Sequence, residues 1–414
     1  MWFTSPWNHE PDVASQYAFP ERIQLHDVTL RDGEQQAGIV FTAADKVRIA
    51  DSLAEIGVHR IEAGMPAVSR EDEKAVMQIA QRNLPSEIYA FCRCLIDDVK
   101  RAVACGVDGV VLEIPCSQHL IELGYKWSVE KAIERSVEAT RYAHEQGVKV
   151  SFFPIDATRA ERHEFRRIVE TVASEGHMDA LGLVDTMGVL TPHSVPSFVE
   201  MCRPFGVPLE AHFHMDFGLG IANSLVAAAA GASVIQVTVG GIGERAGNTP
   251  LEETVMALLT LYNQDLGIET TRLTALNRLV MELAGVDQPS NRPVTGRRLF
   301  DMESGIPATF FRNTRDSHPT EVFPYLPSLV GQEPKIVLGK GSGLDNVREA
   351  LASIGWNATP EAEEEILGRV KERSLEKRGL LDIDDFREIA GAVVGASSAS
   401  EAAGPRLPLR DELD

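Results

Sequence analysis

The sequence predicts an α/β fold, a (β/α)8 TIM barrel followed by a mostly helical C-terminal subdomain. Eight short β-rich segments alternate with amphipathic helical segments over about 250 residues, and glycines stand where the helical segments should end. After about residue 285 this rhythm stops. A doubly wound sheet is the alternative, but it usually carries a G-x-G-x-x-G turn after its first strand, and the sequence has none there.

The predicted elements follow one another in a regular order. The strands are predicted at 23–28, 59–63, 88–94, 109–114, 148–153, 180–184, 208–214 and 233–237. Amphipathic helices are predicted between them, for example at 43–56, 72–82 and 129–145. The helix-ending glycines are Gly57, Gly106, Gly147 and Gly231.

Composition changes divide the chain into four segments. These are an N-terminal extension (1–20), the TIM barrel (21–285), a linker with a helical subdomain (286–395) and a tail (396–414). Between 286 and 343 the sequence is rich in Pro, Gly and Arg and has no strong period. Helices are then predicted at 345–354, 360–377 and 383–393. The tail is small and polar, so we expect it to be disordered.

Charge and cysteine content exclude several classes of protein. The formal net charge of −21 argues against nucleic acid or an anionic membrane surface as a partner. No stretch approaches about 18 uninterrupted apolar residues, and the first residues do not resemble a signal peptide, so we expect no membrane association. The five cysteines are an odd number with no disulfide pattern, which favours a reducing compartment and hence the cytoplasm.

Charged residues follow the first predicted strand in the run LRDGEQ (30–35). In a TIM barrel the chemistry lies at the C-terminal ends of the strands, so Arg31 and Asp32 would stand at the barrel mouth. The alternative is an ion pair on the protein surface.

The seventh predicted strand ends in two histidines, His212 and His214. Residues two apart on a strand point to the same side, so both imidazoles would face the barrel axis, where branched apolar residues are usual. One such histidine is more often a hydrogen-bonded core residue, but two on one face favour a metal site. With the carboxylate of Asp32 they would form a set that suits Zn, Mn, Fe or Co and, with more oxygen ligands, Mg.

A glycine-rich loop, GGIGERAGN (240–248), follows the eighth predicted strand. Its glycines permit left-handed turns or the close approach of a ligand. Asn248 would bring an amide oxygen to the mouth. The alternative, compatible with that role, is that Asn248 caps a helix predicted at 251–259.

These three motifs resemble the DRE-TIM metallolyase superfamily. They are LRDGEQ (30–35), HFH (212–214) and GIGERAGN (241–248), in the right order at the right strand ends. Within the superfamily they resemble the Claisen-condensing branch of isopropylmalate, homocitrate and citramalate synthases. The run LGKGSG (338–343) resembles a motif of that branch's C-terminal subdomain.

The resemblance implies a role for each matching position. The metal ligands would be Asp32, His212, His214 and Asn248, for Mg²⁺, Mn²⁺ or Zn²⁺. Arg31 would bind the carbonyl oxygen of a 2-oxo acid and stabilise the alkoxide formed on attack. The remaining pocket and substrate positions would be Gln35, Thr186, Arg159 and Asn248. The acyl-CoA positions would be Gly241, Gly243 and Lys340, although the loop at Lys340 can also be a simple turn before a helix.

The sequence also departs from the branch. Ile155 replaces an acid before the Asp-Ala-x-Arg run, Pro307 replaces a catalytic histidine of the subdomain, and Asp216 stands where Asn is frequent. Three other residues are candidates for proton transfer. Glu62, at the end of the second strand, and Glu113, in the fourth, are each a base or a buried structural carboxylate, and His119, after the fourth, is a base or a surface histidine.

Together these features predict a metal-dependent acyltransferase that condenses an acyl-CoA with a 2-oxo acid to a 2-alkylmalate-type product. A carbon–carbon lyase or aldolase on the same metal site is the first alternative. It resembles HMG-CoA lyase, whose glycine loop carries a cysteine that the loop 240–248 lacks. A non-catalytic ligand-binding relative is the second. The resemblance also implies a homodimer.

Overall fold

A computed structural model describes residues 2–394 of the chain as a closed eight-stranded parallel barrel and a helical region after it. The predicted fold class is confirmed. The tail expected at 396–414 lies outside the described residues.

The barrel strands follow in sequence around the barrel, and the first pairs with the last. They are β1 (Gln24–Asp27), β2 (Arg60–Glu62), β3 (Glu87–Arg93), β4 (Gly109–Pro115), β5 (Lys149–Ile155), β6 (Ala180–Asp185), β7 (Leu209–Phe213) and β8 (Val234–Val237). Parallel pairing of β1 with β8, with Gln24 opposite Val234, closes the barrel. All eight strands lie where the sequence predicted them.

Helices connect the strands and continue after the barrel. They are α1 (Pro11–Ala14), α2 (Ala43–Glu55), α3 (Arg70–Ala80), α4 (Ile96–Cys105), α5 (Val129–Glu145), α6 (Arg162–Glu175), α7 (Val195–Cys202), α8 (Gly220–Ala229), α9 (Leu251–Tyr262), α10 (Leu273–Ala284), α11 (Gly305–Thr314), α12 (Leu344–Ser353), α13 (Pro360–Lys377) and α14 (Ile383–Val394). Local sequence explains the helix ends. Thr42 and Asp45 form a capping box that starts α2, and Gly106, with φ of 81°, ends α4 in a left-handed turn.

The sequence did not predict helix α11, because residues 286–343 show no strong hydrophobic period. The reason is that Ala308 is its one fully buried residue. A helix that buries so little has no continuous apolar stripe, and periodicity therefore cannot reveal it.

The chain divides into two compact units. Among the described residues, one is Thr4–Gly296, and the other is 297–394 together with Trp2 and Phe3. In the second unit, α12, α13 and α14 pack around a core that includes Val347, Ile366, Val370 and Phe386. Within residues 2–394, no helix combines the length and apolar character needed to cross a membrane.

Charged and polar residues fill part of the barrel interior. Arg60 on β2 donates from Nη1 to Glu210 Oε1 on β7 at 2.6 Å, and Gln236 Nε2 on β8 donates to Glu210 Oε2 at 3.1 Å. Burial opposes ionisation of Glu210, but His26 and Arg60 outweigh it and lower the pKa of Glu210 to about 2. The carboxylate is therefore charged, and its hydrogen bonds link β7 to β2 and to β8 inside the barrel.

We expect Glu210→Leu to destabilise the barrel by about 3 kcal/mol, because it removes the buried acceptor of Arg60 and Gln236 and leaves Glu87, 3.5 Å from Arg60 Nε, as the remaining counter-charge. Urea unfolding followed by circular dichroism measures the change. Glu170→Ala, which breaks an exposed pair with Arg166 on α6, is the matched control and should change stability little. Equal, small effects of the two variants would contradict this account.

Candidate functional site

Three potential metal ligands converge at the C-terminal ends of the barrel strands. Asp32 follows β1, His212 lies in β7, and His214 comes directly after it. All three side chains are buried, and one ligand atom from each lies within 4.8 Å of the others. His212 Nε2 is 3.2 Å from His214 Nε2 and 3.6 Å from Asp32 Oδ2. The prediction that the two histidines share a face is confirmed.

The chemistry of this donor set fits a divalent ion. Two ligand atoms that each lie about 2.1 Å from one ion, at an angle of roughly 90–110°, are about 3.0–3.4 Å from each other. The distance of 3.2 Å between the two Nε2 atoms falls in this range. Among the described residues, Asn248 Oδ1 and His214 Nδ1 are buried without a hydrogen-bond partner. An unpaired buried amide oxygen beside two imidazoles and a carboxylate is the kind of oxygen that a cation satisfies.

The titration properties of the three side chains also suit a metal. Burial and the neighbouring His214 lower the pKa of His212 to about 3, and burial lowers the pKa of His214 as well. Burial alone would raise the pKa of Asp32, but the guanidinium of Arg31 outweighs it and leaves that pKa below its usual value. Near neutral pH the set is therefore two neutral imidazoles and one carboxylate, as metal binding requires.

Gln236 on β8 orients one of these imidazoles, and sequence reasoning missed it. His212 Nδ1 lies 2.8 Å from Gln236 Oε1, whose amide nitrogen is held by Glu210. Since an amide oxygen only accepts, His212 must carry its proton on Nδ1, which leaves the Nε2 lone pair for a metal. The available signals were a polar residue inside the apolar run VIQV and an acid two residues before His212.

The glycine-rich loop shapes the other side of the site. Asn248 Nδ2 donates to Asp32 Oδ1 at 2.8 Å and lies 3.3 Å from the carbonyl oxygen of Ile242. A Cβ at Gly243 would lie 2.2 Å from Asn248 Nδ2, and one at Gly247 would lie 1.9 Å from the Gly241 oxygen. These two positions must be glycine for the amide to reach Asp32.

The capping role considered for Asn248 is wrong. Helix α9 begins after Pro250, and no side chain caps it. The amide of Asn248 is instead turned toward Asp32, because the tight loop carries it over the end of β1. Gly241 donates its backbone N–H to the Thr238 oxygen within the same loop.

Arg31 is buried beside the three ligands, so the alternative of a surface ion pair is wrong. Its Nη1 donates to Asp32 Oδ2 at 2.7 Å and to Gln35 Oε1 at 3.2 Å, and its Nε pairs with Glu62. The guanidinium lies 4.0 Å over the ring of Phe91. Nη2 is buried with no partner among the described residues, so one strong donor is left for a ligand.

Three other predicted site residues lie around Asp156, after β5. Arg159 forms a bidentate pair with its carboxylate at 2.6 and 2.9 Å, and His119 Nε2 lies 3.3 Å from it. Thr186 Oγ1 accepts the Asp156 backbone N–H at 2.7 Å. His119 is about half exposed, and Arg159 is committed to its carboxylate.

Two further sequence features belong to the second unit, and a third lies in the barrel unit. Lys340 belongs to the second unit, where its side chain is exposed and the adjacent Gly341 N–H donates to Glu303. Pro307 lies in the first turn of α11 in the same unit. Ile155, which ends β5, is partly buried in the barrel unit.

Comparison with known proteins gives a consistent result. A family model described as HMGL-like matches residues 22–280. The chain is 40% identical over 385 residues to a probable 2-isopropylmalate synthase of Methanopyrus kandleri, covering 93% of this chain and 76% of that one. It is 36% identical over 395 residues to the homocitrate synthase AksA of Methanothermobacter thermautotrophicus, covering 95% and 98%.

Solved structures resemble the barrel. The hydroxymethylglutaryl-CoA lyase of Pseudomonas aeruginosa superposes with a TM-score of 0.59 at 22% identity, covering 65% of this chain and 95% of that one. At this identity the likeness concerns the fold alone.

We expect Gln236→Leu to weaken divalent-metal binding by about 10- to 100-fold, because His212 loses the acceptor that fixes its tautomer. Calorimetric titration with Mn²⁺ or Zn²⁺ measures the effect. Ser151→Ala is the control, since the Ser151 hydroxyl is equally buried on β5 but has no hydrogen-bond partner among the described residues. Unchanged affinity in Gln236→Leu would remove Gln236 from the site.

Proposed function

Because this chain belongs to the HMGL-like family, we propose that it is a divalent-metal-dependent acyltransferase that condenses an acyl-CoA with a 2-oxo acid. The product would be of the 2-alkylmalate type, and acetyl-CoA is the first acyl donor to test. The observation that carries the proposal is the convergence of Asp32, His212 and His214 beside the unpaired Nη2 of Arg31. Relatives named as isopropylmalate and homocitrate synthases, aligned over more than nine-tenths of the chain, support it.

The proposed metal ligands are Asp32, His212, His214 and Asn248, for Mg²⁺, Mn²⁺ or Zn²⁺. Three or four protein ligands leave coordination positions for the keto and carboxylate oxygens of a substrate. A bound ion would supply Lewis-acid polarisation of these oxygens. The donor set matches this role because its imidazoles are neutral and its carboxylate is charged.

Arg31 is the residue proposed to stabilise negative charge on the carbonyl oxygen of the substrate. Glu62 and Asp32 hold its guanidinium in place, and its remaining donor, Nη2, would bond the carbonyl oxygen on which negative charge develops during attack. A donor fixed in a buried site stabilises that charge without reorganisation. Gln35, which accepts from Arg31 Nη1, would help to orient it.

The remaining assignments concern binding and proton transfer. Thr186 would donate its hydroxyl hydrogen to the substrate carboxylate, since its oxygen already accepts from Asp156. Glu62 and His119 are the proposed proton-transfer candidates. The positions proposed for acyl-CoA and substrate contacts are Gly241, Gly243, Lys340 and Arg159. Arg159 would make its contact while its charge stays paired with Asp156. We also propose a homodimer and a cytoplasmic location, the latter supported by five free, buried cysteines.

A lyase or aldolase that cleaves a carbon–carbon bond on the same metal is the second candidate. The superposition on a hydroxymethylglutaryl-CoA lyase concerns the fold alone, whereas the sequence relatives at 36–40% identity are named as synthases. This difference favours condensation. A non-catalytic relative is disfavoured because the ligands and Arg31 are all present and brought together.

Two variants should separate metal binding from catalysis. We expect His212→Ala to lose bound metal and turnover together, because it removes a ligand. Arg31→Ala should keep the metal while turnover falls by about 10²- to 10³-fold, because it removes charge stabilisation alone. Metal per chain, measured by plasma mass spectrometry, decides between them. Full metal occupancy in His212→Ala would show that the ligand assignment is wrong.

The activity itself is tested by release of free CoA thiol. The purified protein with Mg²⁺, Mn²⁺ or Zn²⁺ is supplied with acetyl-CoA and a panel of 2-oxo acids. We expect release that depends on the oxo acid and stops when a chelator is added. If no pair releases thiol while metal stays bound, condensation is refuted, and cleavage of hydroxy-acyl-CoA substrates becomes the next assay.

A further inference from the structure

One half of the barrel mouth carries an apolar cluster that touches both proposed catalytic groups. Tyr89, a buried member of the cluster, lies two residues before Phe91 on β3 and so farther from the C-terminal ends of the strands. We call the other members the apolar wall; they are Phe91, Val111, Phe153, Val184, Met65 and Ile155. The Phe91 ring lies 4.0 Å from the Arg31 guanidinium carbon, and the Phe153 ring meets the His212 imidazole edge-on at 5.0 Å between centroids. The wall therefore borders both the metal ligands and the oxyanion donor.

Two residues of the wall are accessible. Phe91, Val111, Phe153 and Val184 are buried, whereas Met65 and Ile155 are partly exposed and pack against them. Ile155 lies two residues after Phe153 on β5 and therefore shares its face. A molecule bound through its oxygens at the metal ligands and Arg31 would have these apolar surfaces beside the rest of its carbon chain.

The cations near the mouth are already paired. Arg93 forms a bidentate pair with Asp98 at 2.7 and 3.0 Å, and Arg245 forms one with Asp216 at 2.8 and 3.0 Å. Arg159 is held by Asp156 in the same manner. Arg31 has one guanidinium nitrogen, Nη2, without a hydrogen-bond partner among the described residues. The carbonyl oxygen of the 2-oxo acid would accept a hydrogen bond from it.

An acidic side chain also faces this half of the mouth. Glu113 lies two residues after Val111 on β4, so it shares the face of the wall, and Tyr125 donates its hydroxyl to Glu113 Oε1 at 2.9 Å. Within the described residues of the barrel unit, a second carboxylate on the substrate would meet this acid, apolar carbon and arginines that are already paired. Leaving a buried charge unpaired is strongly unfavourable.

We propose that the acceptor is a 2-oxo monocarboxylic acid with an uncharged, apolar side chain, and that the apolar wall, with Ile155 and Met65 at its accessible surface, selects it. This inference rests on the proposed function and narrows the range of 2-oxo acids that would serve as acceptor. Dicarboxylic 2-oxo acids are disfavoured because the arginines around this half of the mouth are already paired within the barrel unit, and the wall limits the size of the apolar side chain.

The test compares kcat/KM for a panel of acceptors with acetyl-CoA and the activating metal. The panel contains pyruvate, 2-oxobutyrate, 2-oxoisovalerate and 4-methyl-2-oxopentanoate against oxaloacetate and 2-oxoglutarate. We expect the best apolar acceptor to exceed both dicarboxylates by at least ~100-fold, because a second carboxylate buried against apolar side chains without a counter-charge is strongly unfavourable. A dicarboxylate as the best acceptor overturns this inference and leaves condensation standing. No thiol release with any acceptor overturns both.

A pair of variants tests the role of the wall. Ile155→Ala should raise KM for the best apolar acceptor about tenfold and shift preference toward longer side chains, while kcat and Mn²⁺ affinity change little. Ile268→Ala is the matched control, a partly buried isoleucine of the same unit outside the wall. Equal KM effects in the two variants, or an unchanged order of acceptors in Ile155→Ala, would contradict selection by the wall.

Discussion

The candidate site is organised around the carboxylate of Asp32. One oxygen accepts from Arg31 and the other from Asn248, while His212 lies 3.6 Å away. These contacts join the end of β1 to β7 and to the loop after β8, three segments that are neighbours only because the barrel closes. A single buried charge thus fixes the guanidinium, the amide and the imidazole relative to one another. Its desolvation is offset by charge-assisted hydrogen bonds.

A second hydrogen-bond network, which contains Glu210 and Gln236, holds the His212 imidazole in place beside Asp32. Glu210 lies two residues before His212 on β7, and Gln236 stands beside both on β8. Arg60 supplies the counter-charge from β2. Replacing branched apolar residues by this chain of hydrogen bonds costs desolvation, but it gives the imidazole one tautomer and one orientation.

Much of the fold and part of the site could be predicted because the relevant information is local. Strand and helix periods located the eight strands, and the two-residue spacing of His212 and His214 placed both on one face. Gln236 was missed because its pairing with His212 depends on the register between β7 and β8, which no local pattern encodes. The apolar wall was missed for the same reason, since it is assembled from several strands. The role of Asn248 could not be read locally either, because its partner is 216 positions away in the chain.

The glycine-rich loop and the apolar wall tolerate amino-acid substitution to different degrees. At Gly243 and Gly247 even one added carbon would collide with Asn248 or with the Gly241 backbone. Met65 and Ile155 are partly exposed and only border the reacting groups. Mutation can therefore remodel the wall while the loop and the metal ligands stay fixed. In such a barrel, evolution or a protein engineer can exchange one substrate for another without rebuilding the catalytic centre.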